Sequence, residues 1–378
     1  MSATSTVLGD AKVGVFVHLG YGLGRSSWSD RLAGGATADP SPYGYDIGSG
    51  WFDMKWSVDP SERALAKRFR RILARTLGFD LMHAWRNRAG ILGADVIWTH
   101  TEVEHLAAAA ILALHRRSAP ILIAQSVWLW DDWPRLSSPR RALFARLLRR
   151  AEIELTHSRC NAEYSRSAVS GRSVEVIPFG TSRPAASDST TAPDTNLVVA
   201  AGNDRHRDWA TLADVARRLP QLNFIVYSRA QAARETCWPS NVSLNSDASA
   251  QEIANSYSRA VAVVLPLRPN MHASGCTVAL EAQSLGTPVV FADVGGLGDY
   301  VDDAICESVP AGDVEAFAQA ILRVAGLDRS VARASLTHHY EHSGLTQRDY
   351  AMRYVRLTEA LVAGRPVPCT VGALKIVD

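Results

Sequence analysis

The stretch Ser274-Gly275-Cys276-Thr277-Val278-Ala279-Leu280-Glu281-Ala282-Gln283-Ser284-Leu285-Gly286-Thr287-Pro288-Val289-Val290, followed by Gly295-Gly296, decides the fold. It reads as a glycine loop, a short helix and a buried strand. Small residues around Gly275 open the helix, so backbone N–H groups can approach an anion. Glu281 lies six residues past Gly275, nearly two helical turns along, with Thr277 and Leu280 between. Gly286 stops the helix, Pro288 bars its continuation, and Val289-Val290-Phe291 runs into a strand. The arrangement suits a diphosphate at the helix N-terminus and ribose hydroxyl groups on a carboxylate further along.

The same alternation extends in both directions. Upstream come an apolar strand over 196–201, a helix over 208–218, a strand over 223–227, a helix at 250–256 and a strand over 260–265. Downstream, 312–326 and 346–363 read as amphipathic helices. The first half repeats the pattern. Its strands fall at 13–17, 94–98, 120–124, 153–157 and 174–178, with helices over 61–78, 103–115 and 139–151. Residues 25–60, rich in Gly, Ser, Pro and aromatics, read as a long loop. Alternating strands and helices predict α/β architecture with parallel sheets covered on both faces. The Pro/Ser/Thr-rich run 181–195 reads as a linker. The expected organisation is therefore 1–180, a linker over 181–195, 196–345, and a terminal helical segment 346–378.

The composition is 47% hydrophobic and 21% charged, with a net charge of +2, which argues against a bulk nucleic-acid binder. Only four residues are lysine, so arginine supplies nearly all the positive charge. The five cysteines include no CxxC pair, which predicts a reduced, cytoplasmic protein without a disulfide framework or zinc site. Met1-Ser-Ala-Thr-Ser lacks a signal pattern, and no apolar run is long enough to span a bilayer. Two segments are strongly basic. The helix at 61–78 carries Arg63, Lys67, Arg70, Arg71 and Arg75 against Leu65, Phe69, Ile72 and Leu73. The helix at 139–151 carries Arg140, Arg141, Arg146, Arg149 and Arg150. They read either as solvated faces or as peripheral contacts on the inner face of the cytoplasmic membrane.

Several constellations could carry chemistry. Gly202-Asn-Asp-Arg-His-Arg-Asp-Trp209 joins a strand to a helix, so Arg205 and Arg207 stand where a diphosphate could be bound, or are solvated loop charges. His18 with Gly20, Gly22 and Gly24 forms a turn after the first strand, but GxGxG is not the dinucleotide fingerprint. Trp98-Thr-His-Thr-Glu-Val-Glu-His105 lies at the carboxyl end of a strand, where ligands of open α/β sheets collect. His100 and His105 are not at HExxH spacing and no cysteine supports them, which argues against a metal. Thr101 is placed to cap a helix whose first turn holds Glu102 and Glu104. His100 and Glu102 are the polar catalytic candidates there. Asp299, after Gly295-Gly296, reads as structural.

Segments 202–212 and 270–299 resemble the donor site of retaining GT-B glycosyltransferases, especially glycosyltransferase family 4. That family usually has two glutamates separated by seven residues; Glu281 matches the second, and the first falls on Ala273. Arg207 matches the family's helix-opening lysine, and Arg205 is the nearby candidate for its other cation. Where the family often has a histidine, this chain reads Ala124-Gln125-Ser126. The resemblance implies a GT-B fold: two Rossmann-like domains with parallel sheets facing across a cleft, and a C-terminal helix crossing back to the N-terminal domain. It implies a nucleotide-sugar donor, a UDP-sugar or GDP-mannose. Arg205, Arg207, Ser274, Gly275, Cys276, Thr277 and Gly22 would lie at the diphosphate and Glu281 at the ribose. His18, Gln125, Ser126 and His272 fall to the donor sugar or the acceptor, and His100, Glu102 and Arg207 to catalysis.

The implied reaction is transfer, with retention, to a glycan or lipid-linked saccharide in bacterial surface or exopolysaccharide synthesis. It needs no metal or cofactor: arginines and a helix terminus stabilise the leaving diphosphate. Two other readings stay open. The His100–Glu102 pair keeps a sugar-nucleotide epimerase of the same fold in play. Ala273 keeps a non-catalytic sugar-nucleotide-binding subunit in play.

Overall fold

The computed structural model describes residues 7–8, 11–34, 37, 39–115, 120–186 and 194–368; the middle of the expected linker, 187–193, lies outside the described residues. The chain divides into two compact units. Most of the first is Asp39–Ile177, joined by residues up to Gly34 and by 350–368; most of the second is Pro178–Asp349.

The sheet of the first unit is formed by β1 (Gly14–Val17), β2 (Asp53–Trp56), β3 (Val96–Trp98), β4 (Ile121–Gln125), β5 (Ile153–Thr156) and β6 (Val174–Val176). Its order is β2-β1-β3-β4-β5-β6, and every pairing is parallel. The sheet of the second unit is formed by β7 (Leu197–Ala201), β8 (Asn223–Tyr227), β9 (Val242–Asn245), β10 (Ala262–Leu265), β11 (Val289–Ala292) and β12 (Glu307–Val309). Its order is β9-β8-β7-β10-β11-β12, again parallel throughout. The inner strands are buried on both faces, as β5, β7, β10 and β11 show along their whole length. That is why they are continuous apolar runs in the sequence.

Each sheet reverses its strand order once, between β1 and β3 in the first and between β7 and β10 in the second. Loops leaving neighbouring strands diverge there and open a crevice at the carboxyl ends. Both crevices lie at segments singled out from the sequence.

The expectation of a long loop over 25–60 is corrected. The segment holds a helix Arg25–Ala33, a kinked helical stretch Pro42–Gly50 and the strand β2, which pairs with β1. An edge strand of four residues with alternating exposure, Asp53-Met-Lys-Trp56, gives no apolar run to recognise. The basic helix near 61–78 spans Ala64–Leu77, and Arg70 is not on a solvated face but buried.

The last helix, Gln347–Val362, passes into the first unit from Tyr350. The Tyr354 hydroxyl donates to Thr99 O at 2.9 Å, and Trp98 Nε1–H donates to Thr358 Oγ1 at 2.9 Å. Among the described residues, no helix is long and apolar enough to cross a membrane.

The core of the first unit also holds a charge. Glu154, on β5, is fully buried and is satisfied by Trp130 Nε1–H at 2.9 Å, Ser165 Oγ–H at 2.6 Å and the Arg172 guanidinium. Glu154→Ala leaves Arg172 without its counter-ion and is expected to cost about 3–5 kcal/mol in urea unfolding of the full chain. A loss under about 1 kcal/mol would contradict this account of the core.

Candidate functional site

The second unit builds its crevice from two loops. One runs from the end of β7 through Gly202 to the helix Trp209–Arg218, capped by the Asp208 carboxylate. The other runs from β10 through residues 266–275 to the helix Cys276–Ser284. They are stitched together by backbone. Arg207 and Leu267 form an isolated antiparallel bridge, Asp208 N–H donates to Pro266 O at 2.8 Å, and Arg268 N–H donates to His206 O at 2.7 Å.

Side chains tighten the seam. The Asp204 carboxylate accepts from His206 N–H at 2.9 Å, His206 Nδ1 at 3.1 Å, His272 Nε2 at 2.8 Å and Ser274 Oγ at 2.9 Å. Burial alone would raise its pKa. The hydrogen bonds from His206 and His272 outweigh that and hold the carboxyl far below the ordinary carboxylate range.

This seam fixes Arg207. The residue is only 4% exposed; its Nε–H donates to Ala201 O at 3.1 Å, and its Nη1 has no partner. Gly202 (φ +139°) and Gly275 (φ +90°) press on the guanidinium. A Cβ on Gly202 would lie 2.3 Å from Nε and one on Gly275 2.8 Å from Nη1. Both are in conformations that favour glycine, and neither has room for a side chain. A buried donor left unsatisfied costs about 1–3 kcal/mol. A fixed cation with an unused donor, beside the N-terminus of the Cys276–Ser284 helix, has the chemistry to hold an anion.

The other expected residues of this unit divide into two groups. Thr277 is exposed on the first turn of the helix, Glu281 is half-buried further along it, and Arg205 is exposed on the Arg207 loop. Ser274, His272 and Cys276 are engaged inside the loops. Ser274 N–H donates to Asn270 Oδ1 at 3.2 Å, and its hydroxyl and His272 both bind Asp204. Cys276 N–H donates to Ala273 O at 3.1 Å, and burial pushes the Cys276 thiol up to about 11. Ala273, where the resemblance expects a glutamate, is buried with φ +51° and donates its N–H to Gly295 O at 2.9 Å.

Asp204, His206 and His272 bring one potential ligand atom each within 4.8 Å of one another, a donor set chemically able to hold a divalent cation. The same carboxylate is already satisfied by its four donors, so the cluster is also complete as a structural latch. About 320 Å³ of space opens at the ends of β7, β8 and β9, beside Asn203, Ser228, Arg229, Ser246 and Ile253.

The first unit has a different centre. At its reversal point the Glu104 carboxylate accepts from Gly20 N–H at 2.9 Å, His100 N–H at 2.6 Å and Thr101 N–H at 2.9 Å, joining the loops after β1 and β3. His18 is buried beside His83, which together push its imidazole down to about 3, and its Nδ1 has no partner. Gly22 (φ +92°) has no atom within 4 Å of where a Cβ would stand. His100 is buried, and its Nδ1 lies 3.1 Å from the Tyr45 hydroxyl, 3.2 Å from Gln125 Nε2 and 3.2 Å from the Tyr350 hydroxyl. Burial, with His157 nearby, lowers its pKa well below the ordinary value. The Glu102 carboxylate accepts from Val127 N–H at 3.0 Å and Trp128 N–H at 3.2 Å. Gln125 Oε1 accepts from Tyr350 at 2.6 Å and Tyr354 at 2.7 Å, and Ser126 Oγ lies 3.0 Å from His105 Nε2.

Sequence reading missed Asp204, Glu104 as a hub, Tyr45, His157 and Tyr350. Tyr350 and Tyr354, one turn apart on the amphipathic last helix, were the available signal for the last of these. Burial pushes the Glu104 pKa up to about 7 against the pull of the His100, Thr101 and Gly20 amides. Its protonated form is thus favoured by folding. The corresponding stability is fully present below the ordinary value of 4.5 and is lost as pH rises toward about 7. Glu104→Gln is expected to flatten unfolding free energy against pH across that window. An unchanged slope would refute the assignment.

Residues 197–326 match the family model for glycosyl transferases group 1. Over 115 residues the chain is 40% identical to D-inositol 3-phosphate glycosyltransferase of Saccharomonospora viridis, a match covering 30% of this chain and 24% of that relative. Sucrose-phosphate synthase from Thermosynechococcus elongatus superposes with a TM-score of 0.67 at 18% identity, over 93% of this chain and 100% of that one. Anabaena HepE in complex with UDP and glucose superposes with a TM-score of 0.63 at 14% identity, over 93% and 100%. These likenesses establish the GT-B fold for the chain as a whole. The residues matched by the family model, 197–326, include Arg207, Asp204 and the Cys276–Ser284 helix.

Proposed function

We propose that the protein is a glycosyltransferase that moves a sugar from a nucleotide-diphosphate sugar to a saccharide or lipid-linked acceptor. The buried Arg207 guanidinium, with its unpartnered Nη1 between Gly202 and Gly275, carries this reading. Arg207 and Arg205 hold the diphosphate, with N–H groups of the helix first turn at Gly275 and Thr277. Glu281, further along, holds the ribose hydroxyls. The space beside Ser228 and Ile253 takes the base. HepE, a neighbour of the same fold, was crystallised with UDP, and this supports a nucleotide at the site.

Transfer proceeds with retention and without a metal in this reading. The bond from the anomeric carbon to the diphosphate breaks as that to the acceptor oxygen forms. The departing phosphate oxygen takes the acceptor proton, while Arg207 and the helix terminus stabilise the developing charge. His100, neutral at its depressed pKa, serves as a hydrogen-bonding group rather than a general base. Ser274 and His272 position Arg207 through Asp204.

The reading is tested by a thermal-shift panel of UDP, GDP, dTDP and their sugar conjugates, with and without EDTA. One nucleotide family is expected to stabilise the protein, and EDTA to leave the shift unchanged. Loss of the shift in EDTA would instead assign a metal to Asp204, His206 and His272. Arg207→Ala is expected to lower turnover of the donor by on the order of 10²–10³-fold. Unchanged turnover would sink the phosphate assignment. Ala273 favours a second reading, a non-catalytic sugar-nucleotide binder; a nucleotide shift without hydrolysis or transfer would select it.

A further inference from the structure

We propose that the helix Ala64–Leu77, together with the first half of the helix Ser138–Leu148, docks the protein on an anionic lipid surface. The first helix departs from an ordinary surface helix in two respects, a buried arginine and an exposed apolar stripe. Its buried charge is Arg70, 8% exposed, which is bound by Glu62 and Asp80 and lies 4.0 Å from the centre of the Tyr21 ring. Beside its exposed basic residues it turns apolar ones outward: Leu65 is 82% exposed, Phe69 59% and Ile72 53%. Spacings of four and three residues put them on one stripe of the helix. In water such a stripe is exposed apolar area with no compensating contact.

The charge around the stripe selects the partner. Arg68, Arg71 and Arg75 are exposed along one edge of it, and neither helix contains an acidic residue. The carboxylates that approach from below, Glu62 and Asp80, are both taken up by Arg70, with Arg86 also on Glu62. The second helix is fastened at the end of the first. Arg140 Nη2 donates to Thr76 O at 2.5 Å, and a Cβ on Gly78 would lie 2.7 Å from Phe144 Cζ. It adds Arg141 and the partly exposed Leu143 to the same neighbourhood. An apolar ridge edged by arginines, with no groove, fits headgroup phosphates above and acyl chains beneath. A second copy of the chain would bring two arginine rows together, at the expense of like-charge repulsion.

The test is co-sedimentation of the full chain with vesicles of phosphatidylcholine alone or with roughly 30% phosphatidylglycerol. Binding is expected to the anionic vesicles and to weaken as salt is raised. Combined Leu65→Ser, Phe69→Ser and Ile72→Ser is expected to weaken it by about tenfold or more. Combined Arg68→Gln, Arg71→Gln and Arg75→Gln is expected to abolish the preference for anionic vesicles. The arginine set keeps the proposal testable should the serine set fail to fold. No binding of the unaltered protein, or equal binding by both variants, overturns the proposal. So does a dimer that the serine variant breaks without any vesicle binding, which would make the stripe a contact between copies. Partitioning is read without any nucleotide, so this test and the donor-site test fail independently.

Discussion

The second unit depends on one carboxylate. Where a doubly wound sheet reverses its strand order, the loops from β7 and β10 diverge, and nothing in the sheet itself holds them together. Backbone bonds between the loops and Asp204 together close that gap, Asp204 accepting from both loops through His206 on its own side and His272 and Ser274 on the other. Hydrogen bonds to a charged group contribute about 1.5–3 kcal/mol each, enough to fix the register of short irregular segments. With the seam closed, Arg207 can lie only between Gly202 and Gly275. The two glycines, the bridge to Leu267 and the orientation of the helix from Cys276 all follow from that placement.

The two reversal points have the same topology and opposite electrostatics. In the second unit the centre is an ionised carboxylate beside a permanent cation. In the first, burial keeps His18, His100 and His105 neutral and moves Glu104 toward neutrality near physiological pH. Its hydrogen bonds come from hydroxyls, an amide and imidazoles: Tyr45, Tyr350, Gln125 and His157. One crevice has the chemistry to take a charged ligand and the other to take polar, uncharged groups.

What could be read from the sequence was whatever is local. Buried parallel strands are apolar runs, so β1, β4, β7 and β10 stood out, and the glycine loop before Cys276 carried its own stop signals at Gly286 and Pro288. β2 did not, because an edge strand has one solvated side and only four residues. The polar centres were invisible for another reason. Asp204 meets His272 across 68 positions and Tyr45 meets Tyr350 across 305, and no periodicity spans such separations. Arg70 shows the limit of a helical wheel. The pattern places it among solvated arginines, whereas Glu62 and Asp80, outside the helix, draw it inward and leave Leu65 facing out.

The Gln125 side chain has a bearing on how the protein is made. Its carbonyl oxygen is satisfied by hydroxyls of Tyr350 and Tyr354, and Trp98 beside it donates to Thr358. The strands of the first sheet are complete at Val176, yet these buried polar groups find their partners only when the last helix leaves the ribosome. At roughly 5–20 residues per second, that interval is on the order of ten seconds or more. Throughout it the Gln125 carbonyl oxygen and the Trp98 indole N–H lack these partners, while Pro178–Asp349 is synthesised. The N-terminal unit thus gains its last buried hydrogen-bond partners only after most of the second unit has been translated.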